Sequence, residues 1–154
     1  EMYEAVDERI EKTDVFIACA AVSDYRPQAP SDRKIKRTAR ELSLELTRSL
    51  DTLASVAELE NGPFTVGFAA ETDDVERHAR EKLVRKGLDM IAANRVGPDC
   101  GFDQETNSLT VYWANDQAVL EQTTKPILAR RLIDLIGKRY GGVQVDENSS
   151  SQAG

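Results

Sequence analysis

Residues that carry metal or disulfide chemistry are scarce in this sequence. Its 154 residues contain one histidine, His78, and two cysteines, Cys19 and Cys100. The cysteines show neither zinc-site spacing nor a disulfide framework, and no segment has the pattern of a signal peptide. We therefore expect a reducing, cytoplasmic location and interpret Cys19 as a small core residue. His78 is interpreted as a surface residue, and the sequence identifies no metal ligands.

Long hydrophobic runs are also missing, and basic residues are outnumbered. No apolar run approaches the roughly 20 residues that cross a bilayer. The 27 Asp and Glu residues exceed the 20 Lys and Arg residues, which leaves a formal net charge of −7. This charge argues against general binding to nucleic acid or to anionic lipid. A small molecule that carries phosphate is a better candidate ligand for what we expect to be one globular domain.

The glycine fingerprints of the common nucleotide-binding folds are missing as well. The nine glycines form neither G-x-G-x-x-G nor G-x-x-x-x-G-K-[ST]. Both an NAD(P)-dependent oxidoreductase and a P-loop enzyme are therefore disfavoured.

The order of the apolar segments predicts an α/β fold, a Rossmann-like and mostly parallel sheet flanked by helices, with an antiparallel hairpin addition. Buried strands are predicted at 14–20, 64–70 and 88–93, a half-exposed strand at 41–47, and the hairpin at 108–113 and 118–123. Helices are predicted at 2–12, from a cap at 49 or 51 to about 59, from caps at 71–74 to about 86, and from 124 to near 141. We expect the domain to span 1–144 and a disordered tail to span 145–154.

Polar residues follow each of the three predicted buried strands. Ser23, Asp24, Tyr25 and Arg26 follow the first strand, Glu71 follows the second, and Asn94 and Arg95 follow the third. Parallel strands bring their carboxyl ends to one edge of a sheet, where ligands of open α/β sheets bind. The alternative for each residue taken singly is a helix cap or a turn.

Cations also occur in two groups. A basic string at 33–37 has enough charge to neutralise a triphosphate, although a solvated charge run is the commoner reason for such a string. Lys82 and Lys86 continue one face of the helix that ends near residue 86, and their alternative role is to match the helix dipole.

Five segments stand in the order AAVSDYRP, KIKR, VGFAAET, AREKLVRKGLDMIAANRVG and GFDQETNSLTVYW. Together, and over about 14–140, they closely resemble bacterial phosphopantothenoylcysteine synthetase, the ligase half of the bifunctional coenzyme A biosynthesis flavoprotein. The resemblance implies that CTP and Mg²⁺ activate the carboxylate of 4′-phosphopantothenate as an acyl-cytidylate. The amine of cysteine then displaces CMP to form an amide.

The resemblance also implies roles for particular residues. Lys34 matches a mobile-loop lysine that binds CTP and acts in the steps that consume the intermediate, so it is the candidate catalytic residue. The positions that match CTP contacts are Ala18, Cys19, Ala20, Asp24, Asp51, Phe68, Lys82 and Lys86. Asp51 is the only one retained from an Asn-Pro-Asp-Ile stretch of many relatives, because this chain has Ser49-Leu50-Asp51-Thr52.

The resemblance further implies a homodimer, fused in the full protein to a decarboxylase domain that alone would bind FMN. The Gly-rich segment and the asparagine that the family uses to form the acyl-cytidylate would precede Glu1, so we expect this chain to be inactive by itself. A non-catalytic nucleotide-binding or dimerisation module is the alternative function.

Simple helix geometry raises one conflict with these roles. A helix from 71 to 86 is about 22 Å long at 1.5 Å per residue, which carries Lys86 away from the carboxyl edge of its own strand. One hypothesis is that Lys82 and Lys86 act across a dimer interface.

Overall fold

The computed structural model describes residues 1–34, 42–97, 104–114 and 116–151, with backbone only for 143–151. Eleven helices and strands occur in these ranges: α1 (Met2–Ile10), β1 (Val15–Ile17), β2 (Tyr25–Pro27), β3 (Leu46–Arg48), α2 (Thr52–Ala57), β4 (Phe64–Glu71), α3 (Val75–Lys86), β5 (Met90–Arg95), β6 (Thr106–Trp113), β7 (Asp116–Thr124) and α4 (Lys125–Ser151). None of the described helices has both the length and the apolar composition to cross a membrane.

The main sheet has five strands in the order β1-β4-β5-β6-β7. β1, β4 and β5 pair in parallel, whereas β6 and β7 are antiparallel additions. This arrangement confirms the predicted fold class. The central position of β4 and β5 explains their continuous apolar sequences, because both faces of each strand are covered.

Helices cover both faces of this sheet. On one face, Val66, Met90 and Val111 pack with residues of α4 such as Leu132. On the other, Ala69 and Ile91 pack with α2 and α3. Side chains of a strand alternate between faces, so Ala69 and Glu71 lie on the α3 face of β4 and Phe68 lies on the α4 face.

The short strands differ most from the sequence prediction. β1 covers only Val15–Ile17 and is half-buried, because it is the outer strand of the described sheet rather than an interior one. The half-exposed strand predicted at 41–47 is β3, which begins at Leu46 and pairs with β2 in a separate two-stranded sheet. β2 lies where the sequence predicted only a polar turn and a loop.

The C-terminal helix is longer than the sequence predicted. Its end was predicted near Gly141, but α4 continues to Ser151. Glycine within a helix costs about 1 kcal/mol relative to alanine and does not by itself end the helix. The added Cβ of an alanine at Gly137 or Gly141 would meet no atom within 4 Å, so packing does not require glycine there.

Candidate functional site

β1 ends beside Val66 of β4, and β4 continues beyond it to Glu71 at the carboxyl edge of the sheet. β1 pairs Ile17 with Val66 of β4, and the backbone N–H of Ala18 extends this pairing by donating to the Val66 carbonyl at 2.9 Å. The chain then leaves the sheet through Cys19 and Ala20, both exposed. The sequence analysis placed Cys19 in the core, and this was wrong: the residue is exposed because the strand has already ended.

The two-stranded sheet connects this edge to α2. Ser49 follows β3, and its N–H donates to the Asp24 carbonyl at 2.9 Å. The backbone of Asp24 is thereby held to Ser49, which lies two residues before Asp51, the N-cap of α2. The side chain of Asp24 stays exposed.

Asp51 links α2 to α3. Its Oδ1 accepts a hydrogen bond from the N–H of Ala54 at 3.2 Å, which is the usual role of an N-cap aspartate. Its Oδ2 lies 2.5 Å from Nζ of Lys86, whose side chain is only 17% exposed. One carboxylate therefore caps one helix and holds a cation from another.

Lys82 reaches β4 from the preceding turn of α3. Its Nζ donates to the carbonyl oxygen of Phe68 at 3.0 Å. The Phe68 ring packs on the opposite face of the sheet, against the core under α4. The contact therefore involves the backbone of Phe68 and does not depend on its ring.

The direction of helical side chains resolves the conflict over the two lysines. In a β–α–β unit with parallel strands, α3 runs opposite to β4, and side chains on a helix lean towards its N-terminus. The lean of Lys82 and Lys86 is therefore towards the carboxyl edge. Lys82 reaches Phe68 and Lys86 reaches Asp51 within one chain. The placement of the two lysines therefore does not require a second subunit.

The charges of this cluster shift two pKa values. Burial tends to raise the pKa of Asp51, but hydrogen bonds from Lys86 and from the Ala54 N–H, with the positive charges of Lys86 and Lys82, outweigh it and lower that pKa. The pKa of Lys82 is lowered, mainly by burial and then by the nearby charge of Lys86, while Glu71 opposes the change. The site thus holds two adjacent cations although burial and mutual repulsion both disfavour the charge of Lys82.

The structure brings together most, but not all, of the predicted residues. Lys86 contacts Asp51, and Lys82, one turn earlier in α3, contacts the Phe68 carbonyl. Ala18 is hydrogen-bonded to the strand that carries Phe68, and Asp24 is linked to the start of α2 through Ser49. Lys34 is exposed in the connection between β2 and β3, and the rest of the basic string, 35–37, lies outside the described residues. Within the described part of the chain, no hydrogen bond or ion pair joins Lys34 to the cluster.

Sequence reasoning missed one pair at this edge. His78, interpreted above as a surface residue, is 30% exposed, and its Nδ1 lies 3.5 Å from Oε2 of Glu71, at the end of β4. The available signal was spacing, because residues 78, 82 and 86 are each four apart and share one face of a helix.

A cleft lies at the opposite edge of the sheet. It has a volume of about 610 Å³ and is lined by residues at the amino ends of the strands, such as Asp14, Phe64 and Asp89. Asp89 is committed to the fold, since its Oδ2 accepts hydrogen bonds from both N–H and Oγ1 of Thr65 at 2.7 and 2.8 Å. None of the predicted site residues lines this cleft.

The described residues contain no group of three or more His, Cys, Asp or Glu side chains that would hold a metal ion. Mg²⁺ commonly binds through one or two carboxylates together with substrate phosphates rather than in a cage of protein ligands. The scattered carboxylates of this edge fit binding through one or two carboxylates and the phosphates of a substrate.

Comparisons with known proteins agree with this architecture. The family model described as "DNA/pantothenate metabolism flavoprotein C-terminal domain" matches residues 1–140. The chain is 50% identical over 140 residues to the coenzyme A biosynthesis bifunctional protein CoaBC of Vibrio cholerae, covering 88% of this chain and 35% of the relative. It is 41% identical over 145 residues to the protein of the same name from Escherichia coli, covering 91% and 36%. The chain thus spans about a third of the length of these relatives.

Solved structures give the same result. The crystal structure of the C-terminal domain of CoaBC superposes with a TM-score of 0.68 at 34% identity, covering 88% of this chain and 59% of that one. The DNA/pantothenate metabolism flavoprotein from Streptococcus pneumoniae shares the fold, with a TM-score of 0.68 at 24% identity over 89% of this chain and 69% of that one. The resemblance inferred from the five sequence segments is confirmed, and the chain belongs to the family of DNA/pantothenate metabolism flavoprotein C-terminal domains.

Proposed function

We propose that this chain is the C-terminal part of a CTP-dependent phosphopantothenate–cysteine ligase in coenzyme A biosynthesis. The observation that supports it most is the pair of ammonium groups at the sheet edge, Lys82 at the Phe68 carbonyl and Lys86 at Asp51. The names of its relatives, which refer to coenzyme A biosynthesis, point to the same pathway.

The proposed reaction needs positive charge at this edge. The substrate carboxylate attacks the α-phosphorus of CTP, and the bond from that phosphorus to the pyrophosphate oxygen breaks. Both reactants are anions, so fixed cations lower the repulsion between them and stabilise the leaving pyrophosphate. Lys82 and Lys86 would bind the phosphates, and Mg²⁺ bound with CTP would supply further charge neutralisation.

The remaining candidates have matching proposed roles. The exposed backbone after β1, at Ala18, Cys19 and Ala20, would lie along the nucleotide, and the free carboxylate of Asp24 would contact its polar groups. Lys34 would approach from the connection between β2 and β3 and act in the second step, in which the cysteine nitrogen attacks the acyl carbonyl and CMP leaves. FMN would belong to a separate decarboxylase domain.

Calorimetric titration tests the proposal directly. We expect the chain to bind CTP with Mg²⁺ more tightly than ATP with Mg²⁺, and Asp24→Ala, Lys34→Ala and Lys86→Ala each to weaken CTP binding. Loss of a hydrogen bond to a charged group costs about 1.5–3 kcal/mol, or roughly tenfold or more in affinity. Lys138→Ala, an exposed lysine of α4, is the matched control and should bind as the unmodified chain does.

The outcomes separate the two candidate functions. Unchanged CTP affinity in Lys86→Ala would contradict the proposed phosphate contact. CTP binding that is intact but never followed by pyrophosphate release with 4′-phosphopantothenate, even in the full-length protein, would favour the non-catalytic nucleotide-binding module.

A homodimer is the proposed assembly. Apolar side chains are exposed on and around the β2–β3 sheet: Val22 is 49% exposed, Tyr25 51%, Leu42 66%, Leu44 59%, Leu46 56% and Leu50 63%. An isolated two-stranded sheet is only marginally stable in water. Burial of these side chains against a second copy would stabilise the pair of strands.

A further inference from the structure

His78 makes two contacts that together determine where its ring proton lies. The Nε2 atom is 2.8 Å from an Nη2 atom of Arg77. A guanidinium group only donates hydrogen bonds, so Nε2 must be the acceptor in this contact. In the neutral ring the proton is then on Nδ1, the nitrogen that faces Glu71.

Among the described residues, one carboxylate lies within 4 Å of Nδ1, that of Glu71. Nδ1 is buried from solvent and has no hydrogen bond within the usual limits. Oε2 of Glu71 lies 3.5 Å from Nδ1, a separation that a small rotation of either side chain closes. Burying a polar N–H without a partner is costly, which favours that closure.

Glu71 is itself held firmly by the sheet. It is the last residue of β4, it pairs with Arg95 of β5, and its carbonyl accepts a hydrogen bond from the N–H of Val96 at 2.9 Å. Its side chain is 27% exposed and lies on the α3 face, the same face from which Lys82 approaches. The negative charge of Glu71 therefore acts on Lys82, one helical turn beyond His78.

We propose that His78 is a positioning residue of the site: Arg77 fixes its tautomer, and its Nδ1–H holds the Glu71 carboxylate on the α3 face, where the negative charge of Glu71 acts on the Lys82 ammonium. The role in a nucleotide site rests on the function proposed above, but the contact between His78 and Glu71 does not. Burial, followed by the charge of Lys86, lowers the pKa of Lys82, whereas the charges of Glu71 and Asp51 raise it.

The other charges around His78 leave this assignment intact. Arg77 also contacts Asp74 and Glu81, at 3.2 and 3.1 Å, and both contacts direct its guanidinium along the outer surface of α3. The backbone N–H of His78 donates a hydrogen bond to the backbone carbonyl of Asp74, not to its carboxylate. Lys82 lies on the next turn, and Arg95 lies opposite Glu71 in the sheet.

Nitrogen NMR on the unmodified chain tests the tautomer without any variant. His78 is the only histidine, so selective ¹⁵N-histidine labelling gives the signals of one ring. We expect the neutral ring to carry its proton on Nδ1. A neutral ring protonated on Nε2, the form that free histidine prefers, would overturn the proposal.

A second experiment follows the titration of the Lys82 ammonium by NMR, without nucleotide, in three variants. Glu71→Gln and His78→Leu should each move its midpoint to lower pH, because the carboxylate is lost or released from the α3 face. His78→Asn places an amide N–H near the position of Nδ1 and should keep the midpoint of the unmodified chain.

Two results would contradict the positioning role. One is a midpoint in His78→Leu equal to that of the unmodified chain, and the other is a shift to higher pH, which would mean that His78 draws Glu71 away from Lys82. Both readings are taken without CTP, so a failure to bind CTP would contradict only the function proposed above. Thermal melting of each variant checks that the chain is folded.

Discussion

At the scale of single residues, Asp51 and Lys82 provide the main contacts of the candidate site. Asp51 caps α2 and holds Lys86. Lys82 is partly buried, and its ammonium donates a hydrogen bond to one backbone carbonyl, that of Phe68. Such placements contribute little to folding, because the removal of charge from water offsets much of the gain from pairing. Under the function proposed above, this charge serves a ligand rather than the fold.

Replacement of Lys82 by methionine tests this balance. The hydrogen bond from the charged ammonium to Phe68 is lost, at a cost of about 1.5–3 kcal/mol. The cost of burying that charge is lost with it, so we expect the free energy of unfolding to change by less than about 1 kcal/mol. CTP affinity should fall roughly tenfold or more. Urea denaturation and calorimetry measure the two effects, with Lys138→Met as the control. A large loss of stability with unchanged affinity would show that Lys82 is a structural residue.

The pKa of Asp51 predicts a pH dependence of stability. Because its pKa is lower in the folded chain than in the unfolded chain, its ionised form stabilises the fold at pH values above the unfolded value, about 3.9. This contribution is lost as the pH falls through the folded value. The side chain is 47% exposed, so solvent screening limits the effect to about 0.2–1 kcal/mol.

Asp51→Asn isolates the contribution of the Asp51 charge to stability, since asparagine caps a helix about as well as aspartate does. We expect the variant to be less stable than the unmodified chain at pH 7 and the difference to disappear in acid. Urea unfolding at several pH values measures it. In a Lys86→Met background most of the difference at pH 7 should already be missing, and a difference of full size there would exclude the ion pair as its cause.

At the scale of elements, caps and glycines show where local sequence suffices. The end of α3 was predicted at Gly87 because glycine is the usual residue in a left-handed cap, and Gly87 has a φ of 63°. By contrast, Gly141 was predicted to end α4 and does not. A glycine ends a helix only where the chain beyond it turns away, and distant contacts decide that.

Two glycine-to-alanine changes should therefore have opposite effects. Gly87→Ala should destabilise the chain by about 1–2 kcal/mol, since alanine pays for a positive φ, although its Cβ would meet no atom within 4 Å. Gly137→Ala, inside α4 and equally uncrowded, should stabilise it by up to about 1 kcal/mol. Thermal unfolding measures both. Equal effects of the same sign would mean that the two backbones have the same conformation.

At the scale of the whole molecule, the exposed apolar surface around β2 and β3 predicts self-association. We expect Leu44→Glu to shift the chain from dimer to monomer in light scattering coupled to size exclusion, because a carboxylate would be buried unpaired in the interface. Val84→Glu is the control, since Val84 is 80% exposed on α3, away from this sheet. A monomer in the unmodified chain at all concentrations would contradict the dimer.

The strands, the helices and the family resemblance were accessible from sequence because each depends on a short stretch of chain. The periods of 2 and 3.6 residues, the caps at Asp51 and Gly87 and the five segments are local features. The pairing of β2 with β3 was not accessible, since it joins residues about twenty apart with little apolar pattern in β2. Burial of β1 was overestimated because an apolar segment does not reveal which strand is outermost.

The sequence by itself therefore determined the α/β class, the main elements and the membership of the family, because periodicity, capping and ordered motifs are properties of neighbouring residues. Only the tertiary structure decided how the site is assembled. The pairing of Lys86 with Asp51, of Lys82 with Phe68 and of His78 with Glu71 depends on how α2 and α3 lie on β4. That packing is set by contacts between segments distant in the chain.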